Sequence, residues 1–439
     1  MDIGLLTLLI VLAIAILLVM GLPLAFVTGS VAVTVGMWKF GPVVLGLIGS
    51  RIYSFMSEYV LVAVPMFIMM ASLMERTGVA RDLYRAMHVW GGGLRGGLAL
   101  QTLIVAMIMA AMTGIIGGEI VLLGMIALPQ MLRLGYDKNL AVGTICAGGS
   151  LGTMIPPSIV LIIYGLTANV PIGDLFVATI VPGFLLAGLY LAYIFIRCSI
   201  NPKLGPPAPL EERQMPLSEK LALFKGLILP LMVAGWVLGS IYAGIASVSE
   251  AAGMGVVGTL IAAMVRKELN WTVVRAATLQ TMNTCGMLLW LTFGATALIG
   301  VYNLLGGTMF VKSVVMGLEM APVGVILIMM GILVIMGLFM DWVGILLLTV
   351  PIFVPVIVSL GYDPVWFGVL FCMNMQVSYL SPPFGPAAFY LKGVAPPGIT
   401  LQDIFAGLWP FIILQLVGLM IVLLMPEIAL WLPELVYKS

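Results

Sequence analysis

The stretch Leu134–Ser158, "LGYDKNLAVGTICAGGSLGTMIPPS", is apolar enough in its middle for a membrane helix. Yet Gly148, Gly149, Ser150, Gly152, Pro156 and Pro157 crowd into its second half. Glycine and proline there free backbone groups that hydrocarbon cannot satisfy, so such a break survives only in a protein interior or beside a wet cavity. A second stretch, Leu360–Phe384, "LGYDPVWFGVLFCMNMQVSYLSPPF", lies on the first without a gap. The two share Leu-Gly-Tyr-Asp, one Cys and Pro-Pro, seven of 25 positions, where ordinary residue frequencies give about two. Pro129 and Pro355 extend the register, and Pro182 and Pro410 follow at nearly the same offset. The chain therefore reads as two related halves.

Of the 439 residues, 62% are hydrophobic and 8% charged, against about 25% charged in a soluble domain. Apolar runs long enough to cross a bilayer recur throughout, which predicts an all-α polytopic membrane protein. A membrane β-barrel would show alternating segments of about ten residues instead. The net charge of +1 argues against nucleic acid as a partner. The first residues, "MDIGLLTLLIVLAIAILLVM", lack the basic region of a secretory signal and are expected to be a retained span. Cys146, Cys198, Cys285 and Cys372 are scattered and fit neither a disulfide framework nor a metal cluster. The single histidine, His88, sits among basic residues, so histidine-based catalysis has no material. The glycine-rich "WGGGLRGGLA" lacks the Gly-Lys-Ser/Thr ending of a nucleotide loop. Energy for any transport is therefore expected from an ion gradient.

The polar, proline-rich stretch from Arg197 to Lys220 lies near the middle and reads as a linker. The expected organisation is a first repeat over 1–196, a cytoplasmic linker over 197–221 and a second repeat over 222–439. Each repeat is expected to hold about five transmembrane helices and a re-entrant hairpin, near 98–131 and 323–358. A broken helix follows each hairpin, near 140–166 and 366–390. Repeats in transporters are often inverted in the membrane, and cytoplasmic loops collect Lys and Arg. With inverted halves, 15 of the 19 Lys and Arg fall inside, and only Lys39, Arg51, Lys312 and Lys438 outside. Both termini come out external in that arrangement.

Four places put polar groups or breakers at membrane depth: Met112–Glu119, Gly148–Ser158, Gly337–Trp342 and Asn374–Gly385. An unwound carbonyl row with hydroxyls and a carboxylate can replace the hydration shell of Na⁺. Thr113, Ser150, Thr153, Ser378 and Ser381 supply hydroxyls, and Glu119 and Asp341 supply acids. Half-helix N-termini turn partial positive charge toward an anionic substrate. Pro156–Pro157 and Pro382–Pro383 suit the first turn of such half-helices. With Ser158 and Gly385 beside them, they are candidate substrate-binding positions. Asn374 and Gln376 could face substrate or bond between helices. Asp137 and Asp363 are expected to cap the helices that follow them, and Glu250 to mark a helix start beside Ser249. An intramembrane enzyme would need a matched nucleophile and base at depth, and the chain offers none.

Several motifs carry a family resemblance across nearly the whole chain. They are "VPMFIMMASLMERTGVARDLYR", "LRGGLALQTLIVAMIMAAMTGIIGGE", "LPQMLRLGYDKNLAVGTICAGGSLGTMIPPSIVLIIYG", "SEAAGMGVVGTLI", "GLFMDWVGILLLTVPIFVPVIVSLGYDP" and "SPPFGPAAFYLKGVAP". Through them the chain resembles the large membrane (M) subunit of the tripartite ATP-independent periplasmic (TRAP) transporters, DctM-like family. The resemblance implies Na⁺-coupled uptake of a small organic anion across the bacterial inner membrane by an elevator-type cycle. It implies a small membrane (Q-type) subunit and a periplasmic substrate-binding (P-type) protein as partners. Carried over by motif, the ion ligands are Thr113, Gly114 and Glu119 with Gly149, Ser150, Gly152 and Thr153. In the second half they are Asp341, Asn374, Ser378 and Ser381. The chain departs from the family's Ser-Gly-Ser…Asp pattern, with Ile115 at the second hydroxyl and the longer Glu119 as the acid. The ending "PPFGPAAFYLKGVAP" resembles members handling 2-oxo acids or similar carboxylates. A stand-alone Na⁺/dicarboxylate symporter of the same plan is the alternative.

Overall fold

The computed structural model describes residues 2–79, 82–84, 86–87, 93–114, 117–207, 225–317 and 320–437. His88, Ile115, Lys438 and the linker from 208 to 224 lie outside the described residues. The first half comprises α1 (Ile3–Val19), α2 (Leu24–Phe40), α3 (Val43–Met56), α4 (Ala63–Arg76), α5 (Gly97–Thr113), α6 (Gly118–Arg133), α7 (Lys138–Ser150), α8 (Ile159–Ala168) and α9 (Ile172–Ile200). The second comprises α10 (Lys225–Tyr242), α11 (Val248–Val265), α12 (Trp271–Leu304), α13 (Gly307–Met316), α14 (Pro322–Gly337), α15 (Trp342–Ser359), α16 (Pro364–Leu380), α17 (Pro386–Val394), α18 (Leu401–Leu424) and α19 (Glu427–Tyr437). Among the described residues six spans are long and apolar enough to cross a membrane: 59–76, 172–200, 248–265, 271–304, 342–359 and 401–424. Large apolar side chains such as Leu8, Ile16, Trp290 and Ile413 lie on the outer surface, as a lipid-facing protein requires.

The Leu-Gly-Tyr-Asp copies fold alike. Gly135 and Gly361 take φ of 80° and 84°, a backbone that glycine alone adopts without cost. Tyr136 N then donates to Met131 O, and Tyr362 N to Ile357 O, closing the helices before them. Asp137 Oδ1 accepts from Leu140 N at 3.0 Å and Asp363 Oδ1 from Val365 N at 2.7 Å, so both aspartates cap as expected. Glu250 also marks a helix start, though its capping partner is Ser247 rather than Ser249. The polar stretch near the middle begins inside helix, because α9 runs through Arg197 to Ile200.

Packing between the halves is reciprocal. α2 lies along α12, and α11 along α4. α7 packs on α18, and α16 on α9. Each hairpin's second arm meets the half-helix of the other half: α6 packs on α17, and α15 on α8. One apolar core therefore joins Ile162 and Tyr164 of α8 to Leu346 of α15 and Phe371 of α16. A second joins Leu103, Leu123 and Ile145 to Phe411 of α18. Lipid removes the hydrophobic drive between helices, so close approach at small residues matters more. Gly143 and Gly407 supply it between α7 and α18. A Cβ on Gly143 would stand 2.3 Å from Gly407 O, and one on Gly407 2.5 Å from Asn139 O.

Candidate ion and substrate site

α5 and α6 form the first hairpin, and its tip rests on the break between α7 and α8. Thr113 ends α5, and Gly114 follows at φ 60°. A Cβ on Gly114 would fall 1.7 Å from Pro157 O, so backbone touches backbone there. Gly149 lies against Ile120 of α6, whose Cγ1 would be 2.3 Å from an added Cβ. Thr113 Oγ1 reaches Met109 O at 3.0 Å and also hydrogen-bonds Glu119 Oε1. Glu119 is fully buried, and its Oε2 has no hydrogen-bond partner. A buried carboxyl with an unpartnered oxygen either keeps its proton or takes a cation as counter-charge. The structure thus brings together Thr113, Gly114, Glu119, Gly149 and the Pro157 carbonyl.

The break itself is a short turn of 3₁₀ helix, Leu151–Thr153, which contains Gly152, followed by a turn and bends up to Ser158. Thr153 Oγ1 donates to Ser150 O at 3.1 Å, and Ser158 Oγ to Thr153 O at 2.7 Å. Each hydroxyl spends its proton on a carbonyl and keeps lone pairs for a cation. Ser150 is turned elsewhere. Its Oγ donates to Ala147 O and accepts from Gln415 Nε2 of α18 at 3.4 Å.

The prolines do not start the half-helices, contrary to the sequence expectation. Pro156 and Pro157 lie in the bend before α8, which begins at Ile159. Pro382 and Pro383 likewise precede α17, whose first residue is Pro386. The physical reason is that a residue before proline is pushed out of the α region. In a Pro-Pro pair the first proline is therefore disfavoured in a helix. Both Pro-Pro bonds are cis.

The second half repeats the plan with different atoms. α14 ends at Gly337, where a Cβ would meet Ser378 Oγ at 1.8 Å. Asn374 Nδ2 donates to Met330 O of α14 at 3.0 Å, a bond between helices, while its Oδ1 has no partner. Ser378 Oγ donates to Asn374 O and Ser381 Oγ to Val377 O. Gln376 is fully buried with neither amide atom partnered. Gly385 turns the chain at φ 23°, its N–H donating to Ser381 O at 2.9 Å. Asp341 caps α15, accepting from Val343 N at 3.4 Å.

Between the two junctions lies a cavity of about 720 Å³. Gly117 and Gly118 open α6, Ile159 and Val160 open α8, Asp341 and Trp342 flank the start of α15, and Pro386 opens α17. Four helix N-termini therefore line one space, each the positive end of its helix dipole, although Asp341 already caps α15. Gly114 and Thr153 also line it, and Tyr379 and Tyr390 add hydroxyls. Asn374, Gln376, Ser158, Gly385 and the paired prolines lie outside that lining. The opposite wall comes from α2, α4 and α12, through Leu24, Glu75, Gln280 and Thr284. Glu75 and Gln280 escaped the sequence reading. "LMERTG" resembles the polar end of a helix, and only the default that acids inside apolar segments are functional could have found Glu75.

Broken helices, paired hairpins and a cavity at their junction define a membrane transporter. The family described as "Tripartite ATP-independent periplasmic transporter, DctM component" matches residues 11–428. The C4-dicarboxylate TRAP transporter large permease protein DctM of Pseudomonas aeruginosa is 30% identical over 396 residues, covering 90% of this chain and 91% of that one. Its namesake from Rhodobacter capsulatus is 31% identical, covering 95% and 97%. The YdaH transporter of Alcanivorax borkumensis superposes with a TM-score of 0.63 at 15% identity, over 94% of this chain and 97% of that chain, a likeness of fold alone. The chain belongs to the DctM family of TRAP transporter large permeases.

Proposed function

We propose that this chain carries a small carboxylate across the bacterial inner membrane, driven by Na⁺ and fed by a periplasmic binding protein. The observation that carries the reading is the convergence of four helix N-termini on one cavity between two hairpin–break junctions. Those N-termini hold the carboxylate by oriented N–H groups and dipoles. Among the described residues no Lys, Arg or His lines the cavity, so the dipoles carry that task. Na⁺ is held at the junctions. In the first, Thr113, Gly114, Glu119, Gly149 and Thr153 contribute; in the second, Asp341, Asn374, Ser378 and Ser381. Gly152 supplies backbone in the first break. Ser150 supports it from behind through Gln415.

The halves are inverted repeats, a reading supported by their reciprocal packing. The elements that form the junctions move as a unit against a scaffold of α2, α4, α11 and α12. The family description's word "tripartite" supports two partners, a small membrane subunit and the binding protein. The named substrate of the two relatives, a C4-dicarboxylate, supports a carboxylate here. Proteoliposomes holding this chain and its small subunit test the reading. Uptake should need both external Na⁺ and the purified binding protein. Full uptake without the binding protein favours the stand-alone symporter, and full uptake in K⁺ alone removes the coupling.

A further inference from the structure

Behind the first break lies a group of uncharged polar side chains, away from the cavity lining. Ser150 of α7, Tyr190 of α9 and Gln415 of α18 are each at most 1% exposed. Gln415 Nε2 donates to Ser150 Oγ at 3.4 Å, and both side chains act on the Tyr190 hydroxyl. Neither stands in hydrogen-bonding geometry with it, so that hydroxyl and Gln415 Oε1 find no partner in the protein. Gln376 of α16 is fully buried too, with neither amide atom partnered. Its place follows from sequence and packing together. Ser150 and Gln376 hold the same position in the two aligned copies, 16 residues past Leu134 and Leu360. α7, α9, α16 and α18 all pack on one another, and α16 also touches the 3₁₀ turn of the break. Trp366 Nε1 donates to Val422 O at 3.0 Å, and a Cβ added to Gly418 would stand 3.4 Å from Met373 Cε, so α16 and α18 run antiparallel. The same Cβ would stand 3.3 Å from Leu186 Cδ1 of α9, while Tyr190 stacks edge-on against Phe411, with ring centroids 5.4 Å apart. One turn beyond the contact of Met373, Gly418 and Leu186, the three helices therefore carry Gln376, Gln415 and Tyr190 at one level.

A buried amide or hydroxyl with no partner is costly, and native interiors meet that cost with ordered water. The atoms left over select the occupant. Gln376 Nε2 has protons to give, Gln415 Oε1 and Gln376 Oε1 have only lone pairs, and the Tyr190 hydroxyl has both. A metal cation takes no proton, so it would leave Gln376 Nε2 unpaired. Water both gives and accepts, and it suits a mixed set of donors and acceptors.

We propose that Tyr190, Gln376 and Gln415 bind an ordered water behind the first break, and that this hydrated contact holds Ser150 and the break in place. Ser150 ends α7, and the 3₁₀ turn with Gly152 and Thr153 begins at the next residue. Gln376 lies between Asn374 and Ser378, which the reading above gives to the second junction. The water thus ties the backbone of one junction to the helix that carries the other. Tyr190, Gln376 and Gln415 are positioning residues, acting on the ion through Ser150 and the break. Their effect on Na⁺ rests on the Na⁺-coupled reading above, and the water itself does not.

The test uses the purified full chain with its small subunit, and two readouts. A cryo-electron-microscopy map fine enough to show ordered water should carry a peak within hydrogen-bonding distance of Tyr190 Oη, Gln415 Oε1 and the Gln376 amide. Gln376→Met removes both polar atoms and should raise the Na⁺ midpoint of uptake about tenfold, the cost of one buried group left unpaired. The maximal rate should hardly change, whereas a merely loosened fold lowers it. Gln376→Asn keeps the amide and should give a smaller shift, and it carries the test if Gln376→Met does not fold. Gln376→Met with Gln415→Met should raise the midpoint by less than the product of the single effects, because members of one network couple. A map with no peak, or with a peak bound by oxygens alone and Gln376 Nε2 turned away, overturns the water. A wild-type midpoint in Gln376→Met, or effects that simply multiply, overturns the positioning role. A wild-type chain whose uptake ignores Na⁺ overturns the Na⁺-coupled reading, and the map still decides the water.

Discussion

Replacing Gly114 by alanine tests whether the hairpin tip and the helix break form one ion site. A Cβ there would stand 1.7 Å from Pro157 O. An unstrained carbon–oxygen contact needs about 3.3 Å, so the tip must retreat by roughly 1.6 Å. Residue 114 also sits at φ 60°, which costs a non-glycine residue about 1–2 kcal/mol. Binding constellations tolerate about 0.5 Å of displacement, and a 1 Å misplacement can cost on the order of 100-fold. The Na⁺ midpoint for uptake should therefore rise by about 100-fold or more. Gly21→Ala is the control. Gly21 has φ 84° with nothing within 4 Å of an added Cβ, so it bears the conformational cost alone. The assay is initial uptake against external Na⁺ in proteoliposomes, beside size-exclusion profiles of both variants. A Gly114→Ala protein that folds and keeps the wild-type Na⁺ midpoint would falsify the junction as the ion site.

Other outcomes follow from the same geometry. Asp137→Ala and Asp363→Ala each remove one helix cap and should cost about 1 kcal/mol apiece; thermal unfolding of the pair reads whether the costs match. Gly407→Val drives a branched side chain toward Asn139 O, 2.5 Å from the added Cβ, so monodisperse protein should be lost. Gly235→Val, with open space around it, should retain it. Arg266→Met removes ion pairs to Asp82 at 2.6 Å and Glu268 at 3.0 Å. Both acids are about one-third exposed, so the cost should stay below about 1 kcal/mol and shrink with salt.

Local chemistry was legible in the sequence. The Leu-Gly-Tyr-Asp copies announced matched turns and caps, and Gly135, Gly361, Asp137 and Asp363 take those places. The breaks near Ser150 and Ser381 were legible because glycine and proline act on their own backbone. The paired prolines were misplaced by a few residues, since two opposing rules apply to them: proline suits a helix start, but the residue before proline resists helix. What the sequence withheld depends on contacts between distant segments. Nothing local in α6 says that it packs on α17, or in α15 that it packs on α8. Glu75 was hidden for the same reason. Its place on the cavity wall depends on Gly118, 43 residues further on, leaving room for its carboxylate. Ser150 shows the converse, for its place in the break suggested an ion ligand while its hydroxyl is turned to Gln415.

The central claim is that the Na⁺ gradient drives accumulation, and one measurement addresses it most directly. Proteoliposomes carrying this chain and its small subunit are supplied with the binding protein loaded with its acid. Internal substrate is followed at equal Na⁺ on both sides and again with Na⁺ only outside, at the same clamped potential and pH. Accumulation above the equilibrium level is expected only with the inward Na⁺ gradient, and its collapse on adding a Na⁺ ionophore. Accumulation that persists at equal Na⁺, or that follows a proton gradient instead, would contradict the account.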